Sequence, residues 1–205
     1  MSRVAVIVLA AGRGTRFGGP AHKLEQSLGR ATVLATTLRH AVASHLPVTV
    51  VTSAALAETA RRSVASRDVV VLADDGSPFG MGHSIAAGVG ARPDADGWLI
   101  LPGDMPLVRP DTLQAVAKPL AEHPVCYAQH RGRRGHPVGF AAELYSELIS
   151  LTGDEGARRL VARYPAFAVE VADPGVLVDI DTAADLARVR AEHGEVLDSA
   201  PGALP

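Results

Sequence analysis

Six apolar residues in succession, Val4-Ala5-Val6-Ile7-Val8-Leu9, form the first clear pattern in the chain. A run so short and so rich in Val and Ile predicts a strand buried on both faces of a parallel sheet rather than a helix. Further on, Val33, Leu34, Leu38, Ala41 and Val42 fall near helical spacing, predicting a helix from Ala31 to Ser44. Val48–Val51 and Asp68–Leu72 read as the second and third strands, with an alanine-rich helix over Ala54–Ser66 between them. A helix is expected from Ile85 to Ala91, a buried strand at Trp98–Leu101 and a helix starting near Pro110. Val125–Gln129, Phe167–Val171 and Val176–Ile180 read as strands, a basic glycine-rich hairpin over His130–Phe140 returns into another apolar strand, and a last helix reaches about His193. Strands and helices alternating through short connections predict a doubly wound α/β sheet. Residues 1–193 are expected to form a single domain and 194–205, with Pro201, Gly202 and Pro205, a flexible tail.

Composition narrows the class. A chain of 205 residues, 47% hydrophobic and 20% charged, suits one globular domain with a full core. A net charge of −2 gives no basic surface for nucleic acid or membrane. The single cysteine, Cys126, rules out an internal disulfide framework and a cysteine-based metal cluster, and its apolar neighbours make it a small core residue. No charged segment with a long apolar run and cleavage site opens the chain, and no apolar run would span a bilayer, so a cytoplasmic enzyme is expected.

The first strand runs into Leu9-Ala10-Ala11-Gly12-Arg13-Gly14-Thr15-Arg16-Phe17-Gly18-Gly19-Pro20, followed by Lys23. Loops at the carboxyl ends of parallel strands are where open α/β sheets bind ligands. Glycines let backbone N–H groups approach phosphate oxygens, and Arg13, Arg16 and Lys23 supply countercharge. A Walker loop is excluded because no Gly-Lys-Ser/Thr follows. A dinucleotide fingerprint is disfavoured because Phe17 stands at its third small position and the next strand ends in Thr52-Ser53 without an acid.

Two later stretches reach the same sheet edge. Gly80-Met81-Gly82-His83-Ser84 precedes the third helix, whose first N–H groups are expected to be free for an anion or a nucleobase edge. Leu101-Pro102-Gly103-Asp104-Met105-Pro106 brings Asp104 to a strand end, where a carboxylate suits Mg²⁺ completed by substrate phosphates and water. In Asp179-Ile180-Asp181-Thr182, Asp181 or Thr182 reads as the N-cap of the last helix, with Asp185 complementing its dipole, and Asp181 reads equally as a second carboxylate for the same metal. His130-Arg131-Gly132-Arg133-Arg134-Gly135-His136-Pro137 forms a basic hairpin, either a cradle for an anionic acceptor or a solvated turn.

These motifs occur together and in order with Gly135-His136-Pro137-Val138 and Gly153-Asp154-Glu155-Gly156-Ala157-Arg158. Over about Val4 to His193 the chain resembles the molybdenum cofactor cytidylyltransferases, within the molybdopterin nucleotidyltransferase group. The resemblance implies a single-domain Rossmann-like nucleotidyltransferase fold, three-layer α/β/α with a mostly parallel mixed sheet. It implies transfer of CMP from CTP to the terminal phosphate of molybdenum-bound molybdopterin, with release of pyrophosphate and Mg²⁺ (or Mn²⁺) as cofactor. The product would serve an apo-enzyme of the xanthine dehydrogenase type. Carried over residue by residue, Arg16, Lys23 and Asp104 act in catalysis, and Asp104 and Asp181 hold the metal. Leu9, Ala10, Ala11, Gly12, Arg13, Gly14, Thr15, Arg16, Lys23, Gly80, Met81, Gly82 and Ser84 bind the nucleotide, while Gly135, His136 and Asp154 line the acceptor pocket. Guanylyl-transferring relatives usually carry Leu-Ala-Gly-Gly and Gly-Pro-Leu where this chain has Leu9-Ala10-Ala11-Gly12 and Gly80-Met81-Gly82. The spacing from Arg16 to Lys23 is longer than the family pattern and is similar to the cytidylyltransferases of isoprenoid synthesis, which lack Gly-Asp-Met-Pro and Gly-His-Pro. The alternatives are GMP transfer to molybdopterin, nucleotidyl transfer to another small phosphorylated acceptor, and a non-catalytic carrier of the finished cofactor.

Overall fold

A computed structural model describes residues 3–12, 14, 17, 22–73 and 80–198, without the side chains of 194–198. Strand β1 (Val4–Ala10) lies in the middle of a seven-stranded sheet. A hairpin of β2 (Ser27–Leu28) and β3 (Ala31–Thr32) stands apart from that sheet. The other strands of the main sheet are β4 (Val48–Ser53), β5 (Val69–Leu72), β6 (Gly97–Pro102), β7 (Val125–His130), β8 (Arg133–Ala141) and β9 (Ala166–Glu170). Their order is β5-β4-β1-β6-β8-β7-β9, and β8 runs against its neighbours β6 and β7 while the other pairings are parallel. Val8 sits between Val50 of β4 and Leu101 of β6, so the strand expected to be buried on both faces is paired in parallel on both sides.

Side chains along β1 alternate between two cores, as strand geometry requires. Val6 and Val8 join one core with Leu34 and Leu38 of α1 (Val33–Ala43), Leu113 and Val116 of α4 (Pro110–Ala117), and Leu186 and Val189 of α7 (Ala183–Asp198). Ala5 and Ile7 join the other with Ile85 and Val89 of α3 (Met81–Gly90), Leu148 of α5 (Tyr145–Leu148) and Leu160 of α6 (Arg158–Arg163). The result is the expected three-layer α/β/α arrangement, with Cys126 fully buried in β7.

Several boundaries differ from expectation, each for a local reason. Helix α1 starts at Val33 because Ala31 and Thr32 belong to the hairpin and the Thr32 hydroxyl accepts from Ala35 N–H at 3.2 Å. The stretch expected as a helix over Ala54–Ser66 holds a 3₁₀ turn at Ala54–Leu56 and the short α2 (Ala57–Arg61). Val176–Ile180 is not a strand. Asp173 accepts from Gly175 N–H at 3.0 Å and Pro174 opens a 3₁₀ turn through Leu177, so the segment crosses the sheet edge instead of joining a ladder. Helix α7 continues to Asp198, past the end expected at His193.

The carboxyl ends of β1, β4, β5, β6, β7 and β9 and the amino end of β8 lie along one edge. Chain order reverses between β1 and β6, since β1 leads outward to β4 on one side and β6 flanks it on the other. A crevice at such a reversal is the expected ligand position in an open α/β sheet.

Candidate functional site

Asp104 is fixed by three separate elements. Gly103 N–H donates to Leu9 O at 2.8 Å, joining the turn after β6 to the end of β1. The Thr37 hydroxyl of α1 donates to Gly103 O at 2.9 Å, and Ile180 N–H donates to Asp104 O at 3.0 Å. A Cβ at Gly103 would stand 2.9 Å from Leu9 O, so only glycine lets the two strand ends come this close. The Ile180 bond also places the next residue, Asp181, beside Asp104.

Asp181 is not the helix cap. Thr182 takes that role, with its hydroxyl accepting from Asp185 N–H at 3.2 Å while Asp185 Oδ2 accepts from Thr182 N–H at 2.9 Å and from its hydroxyl at 2.7 Å. This reciprocal box serves the start of α7, and the side chain of Asp181 turns to Lys23.

Lys23 Nζ lies 2.6 Å from Asp104 Oδ2 and 2.8 Å from Asp181 Oδ1, and the three side chains are only 13%, 16% and 21% exposed. Burial alone would lower the lysine pKa, but attraction and hydrogen bonds from Asp104 and then Asp181 outweigh it and hold the ammonium above its ordinary value. Asp104 Oδ1 is buried and has no hydrogen-bond partner among the described residues. A carboxylate oxygen desolvated in this way calls for a cation or a donor.

Lys23 is held by a contact that sequence reasoning missed. Leu24 N–H donates to His22 Nδ1 at 3.2 Å, so the proton is on Nε2, which donates to Gly12 O at 2.8 Å. His22 therefore caps the 3₁₀ turn Lys23–Glu25 and clasps the end of the first loop to its beginning. Its position just before Lys23 was the available signal. Gly14 sits at φ +63, and a Cβ there would meet the Lys23 stem at 3.2 Å and the His22 ring at 3.3 Å.

Among the expected nucleotide-binding residues, Leu9, Ala10, Ala11, Gly12 and Gly14 line the end of β1 and the turn beyond it, while Arg13, Thr15 and Arg16 lie outside the described residues. The second loop differs from expectation. Helix α3 already starts at Met81, with Gly80 as its cap position, so Gly82 and Ser84 are helical. The Gly82 N–H expected to be free donates to Gly153 O at 2.9 Å, because the loop around Gly153 packs on the helix start. Met81 remains exposed at 52%.

The three expected acceptor residues fall in two places. His136 lies near Asp104 at the amino end of β8, with a buried Nδ1 that has no partner among the described residues. Burial lowers its pKa despite the attraction of Asp104, so its ring is neutral near pH 7. Gly135 is buried, and a Cβ on it would stand 2.2 Å from Val176 O, which gives this glycine a packing reason. Asp154 is exposed, in the turn packed on Gly80.

Among the described residues no group of three or more His, Cys, Asp and Glu is arranged to hold a metal. The donor set is a pair of carboxylates, which fits a hard cation that takes its remaining ligands from phosphate and water. No helix among the described residues is long and apolar enough to cross a membrane.

The pattern of one known family matches residues 6–168. The chain belongs to the MobA-like NTP transferase domain family. The chain carries Lys23 and Asp104 within the matched stretch and Asp181 beyond it. It is 36% identical over 151 residues to the bifunctional protein GlmU of Cereibacter sphaeroides, covering 69% of this chain but 32% of that protein. It is 37% identical over 116 residues to the purine catabolism protein PucB of Bacillus subtilis, covering 54% of this chain and 56% of that protein. The domain therefore accounts for less than two thirds of the length of these relatives. Among solved structures it is similar to Rv0371c of Mycobacterium tuberculosis crystallised with manganese, with a TM-score of 0.73, 28% identity, and coverage of 92% of this chain and 98% of that one.

Proposed function

We propose that this transferase moves CMP from CTP to the terminal phosphate of molybdenum-bound molybdopterin, releasing pyrophosphate and forming the cytosine dinucleotide. The observation that carries the reading is the cluster of Lys23, Asp104 and Asp181 at the sheet crevice, with a buried oxygen of Asp104 lacking a partner among the described residues.

The chemistry asks little covalent help of the protein. An ionised phosphate oxygen of the acceptor attacks the α-phosphorus in line, the new P–O bond forms as the bond to the β-phosphate oxygen breaks, and pyrophosphate leaves with the electron pair. A phosphate monoester is largely ionised near neutral pH, so no general base is needed. Positioning and neutralisation of developing charge remain as the work of the site. Asp104 and Asp181 would hold a divalent cation, which when bound supplies Lewis acidity and charge neutralisation at the α-phosphate. Lys23, with Arg16, would meet the β- and γ-phosphates. A manganese complex of a relative supports a divalent cofactor, with Mg²⁺ as the proposed physiological ion. The neutral ring of His136 beside Asp104 would face the acceptor, with Gly135 behind it.

Base choice rests on Leu9-Ala10-Ala11-Gly12 and Gly80-Met81-Gly82, which resemble the cytidylyl side of the family. The recipient is proposed to be an enzyme of the xanthine dehydrogenase type. One relative is named for purine catabolism, and xanthine is a purine. The test is pyrophosphate release from CTP or GTP with molybdopterin as acceptor. Acceptor-dependent release confined to CTP is expected. Release confined to GTP would assign the guanylyl reaction, and CTP binding without release would leave a carrier.

A further inference from the structure

Lys23 stands where a divalent cation would have to enter. Its ammonium is 2.6 Å from Asp104 Oδ2 and 2.8 Å from Asp181 Oδ1. Magnesium sits roughly 2.0–2.1 Å from its oxygen ligands, so an ion using the same two oxygens would overlap Nζ. Like charges in so confined and poorly solvated a gap repel strongly. The lysine also leaves the buried Asp104 Oδ1 without a partner among the described residues. The ammonium thus fills the gap without saturating the donor set.

We infer that Lys23 is an internal counter-ion that holds the cation position closed until nucleotide arrives. The inference rests on the proposed role of Asp104 and Asp181 as metal ligands. Entry of the cation requires the ammonium to withdraw, and a triphosphate in the first loop offers it a new anionic partner. That loop is already its neighbour, since Gly14 lies against the Lys23 stem and the His22 ring. The same positive charge is therefore used twice, first to neutralise two carboxylates and then to hold phosphate. Metal alone binds weakly, and metal with nucleotide binds strongly, a reciprocal coupling between the two ligands.

Mn²⁺ binding followed by electron paramagnetic resonance, without any turnover, tests this. In the absence of nucleotide, Lys23→Met is expected to bind Mn²⁺ about tenfold or more tightly than the wild type, because two short charge-assisted bonds no longer have to break. CTP or GTP should strengthen Mn²⁺ binding in the wild type and do so much less in the variant. A folded Lys23→Met protein with unchanged or weaker Mn²⁺ affinity would overturn the counter-ion role while leaving the metal ligands standing. Unchanged Mn²⁺ binding in Asp104→Asn would overturn the ligand assignment and the inference with it.

A second measurement needs no variant. The chain has only two lysines, Lys23 and the exposed Lys118. Acylation by an amine-specific reagent can therefore be read at Lys23 with Lys118 as internal reference. Saturating Mn²⁺ without nucleotide should raise labelling of Lys23 severalfold. Mn²⁺ bound with Lys23 labelling unchanged would contradict the exchange.

Discussion

Gly80 and Gly153 touch backbone to backbone: a Cβ on Gly80 would stand 2.1 Å from both the carbonyl carbon and the oxygen of Gly153. With the bond from Gly82 N–H to Gly153 O, this contact sets where α3 begins and how the second loop faces the crevice. Gly80→Ala has no flexible neighbour to displace and is expected to destabilise the fold by about 1–3 kcal/mol, the usual range for overpacking. Chemical denaturation measures this, and a change below about 0.5 kcal/mol, ordinary for surface substitutions, would contradict the contact.

The clasp made by His22 predicts a different outcome. His22→Ala removes both the bond to Gly12 O and the cap on the turn that carries Lys23. Nucleotide affinity should fall severalfold while the melting temperature moves little, because the ring serves the loop and not a core. Calorimetric titration with nucleotide reads the effect. An unchanged affinity would mean the loop orders without its clasp.

The start of α7 should respond to pH through Asp185. Hydrogen bonds from the Thr182 side chain, and then from backbone N–H groups, hold its pKa below the ordinary 3.8. The contribution of this carboxylate to stability is therefore complete above about pH 4 and lost as pH falls through the depressed value. Asp185→Ala should lower stability at pH 7, since it removes the acceptor in the reciprocal box with Thr182, and the gap from wild type should close in strong acid. Denaturation of both proteins from pH 7 downward checks the sign.

Cys126 gives a probe of global unfolding. Its thiol is fully buried, and burial raises its pKa to about 11. Since the thiolate is the reactive form, a thiol reagent should label the native protein at the rate of unfolding alone. Labelling at the rate of a free thiol would contradict this packing.

Strands were legible where the pattern was strong and local. Val4–Leu9 read as a strand buried on both faces because its apolar run is continuous, and Gly103-Asp104 reached the expected edge because β6 delivers it there. Contacts distant in sequence were not legible. Lys23 was expected on phosphate, yet it pairs with carboxylates 81 and 158 residues away, which no spacing along the chain announces. Glycines at 80 and 82 read as a loop because helix propensity disfavours them, whereas the close approach of Thr152 and Gly153 requires them at the helix start. Val176–Ile180 had the composition of a strand but follows Pro174 and a capping Asp173, and Gly175 lies against Leu107 O instead of a ladder partner. The alternatives left open at Asp181 were separated only by the geometry of Thr182 and Asp185.

The central claim is that Asp104, with Asp181, makes nucleotide binding depend on a divalent cation. Calorimetry of wild type and Asp104→Asn with CTP, GTP, ATP and UTP, each with and without Mg²⁺, tests it most directly. The account predicts Mg²⁺-dependent binding of CTP by the wild type and loss of that dependence in Asp104→Asn. CTP binding of equal strength with and without Mg²⁺, unchanged by the substitution, would contradict it.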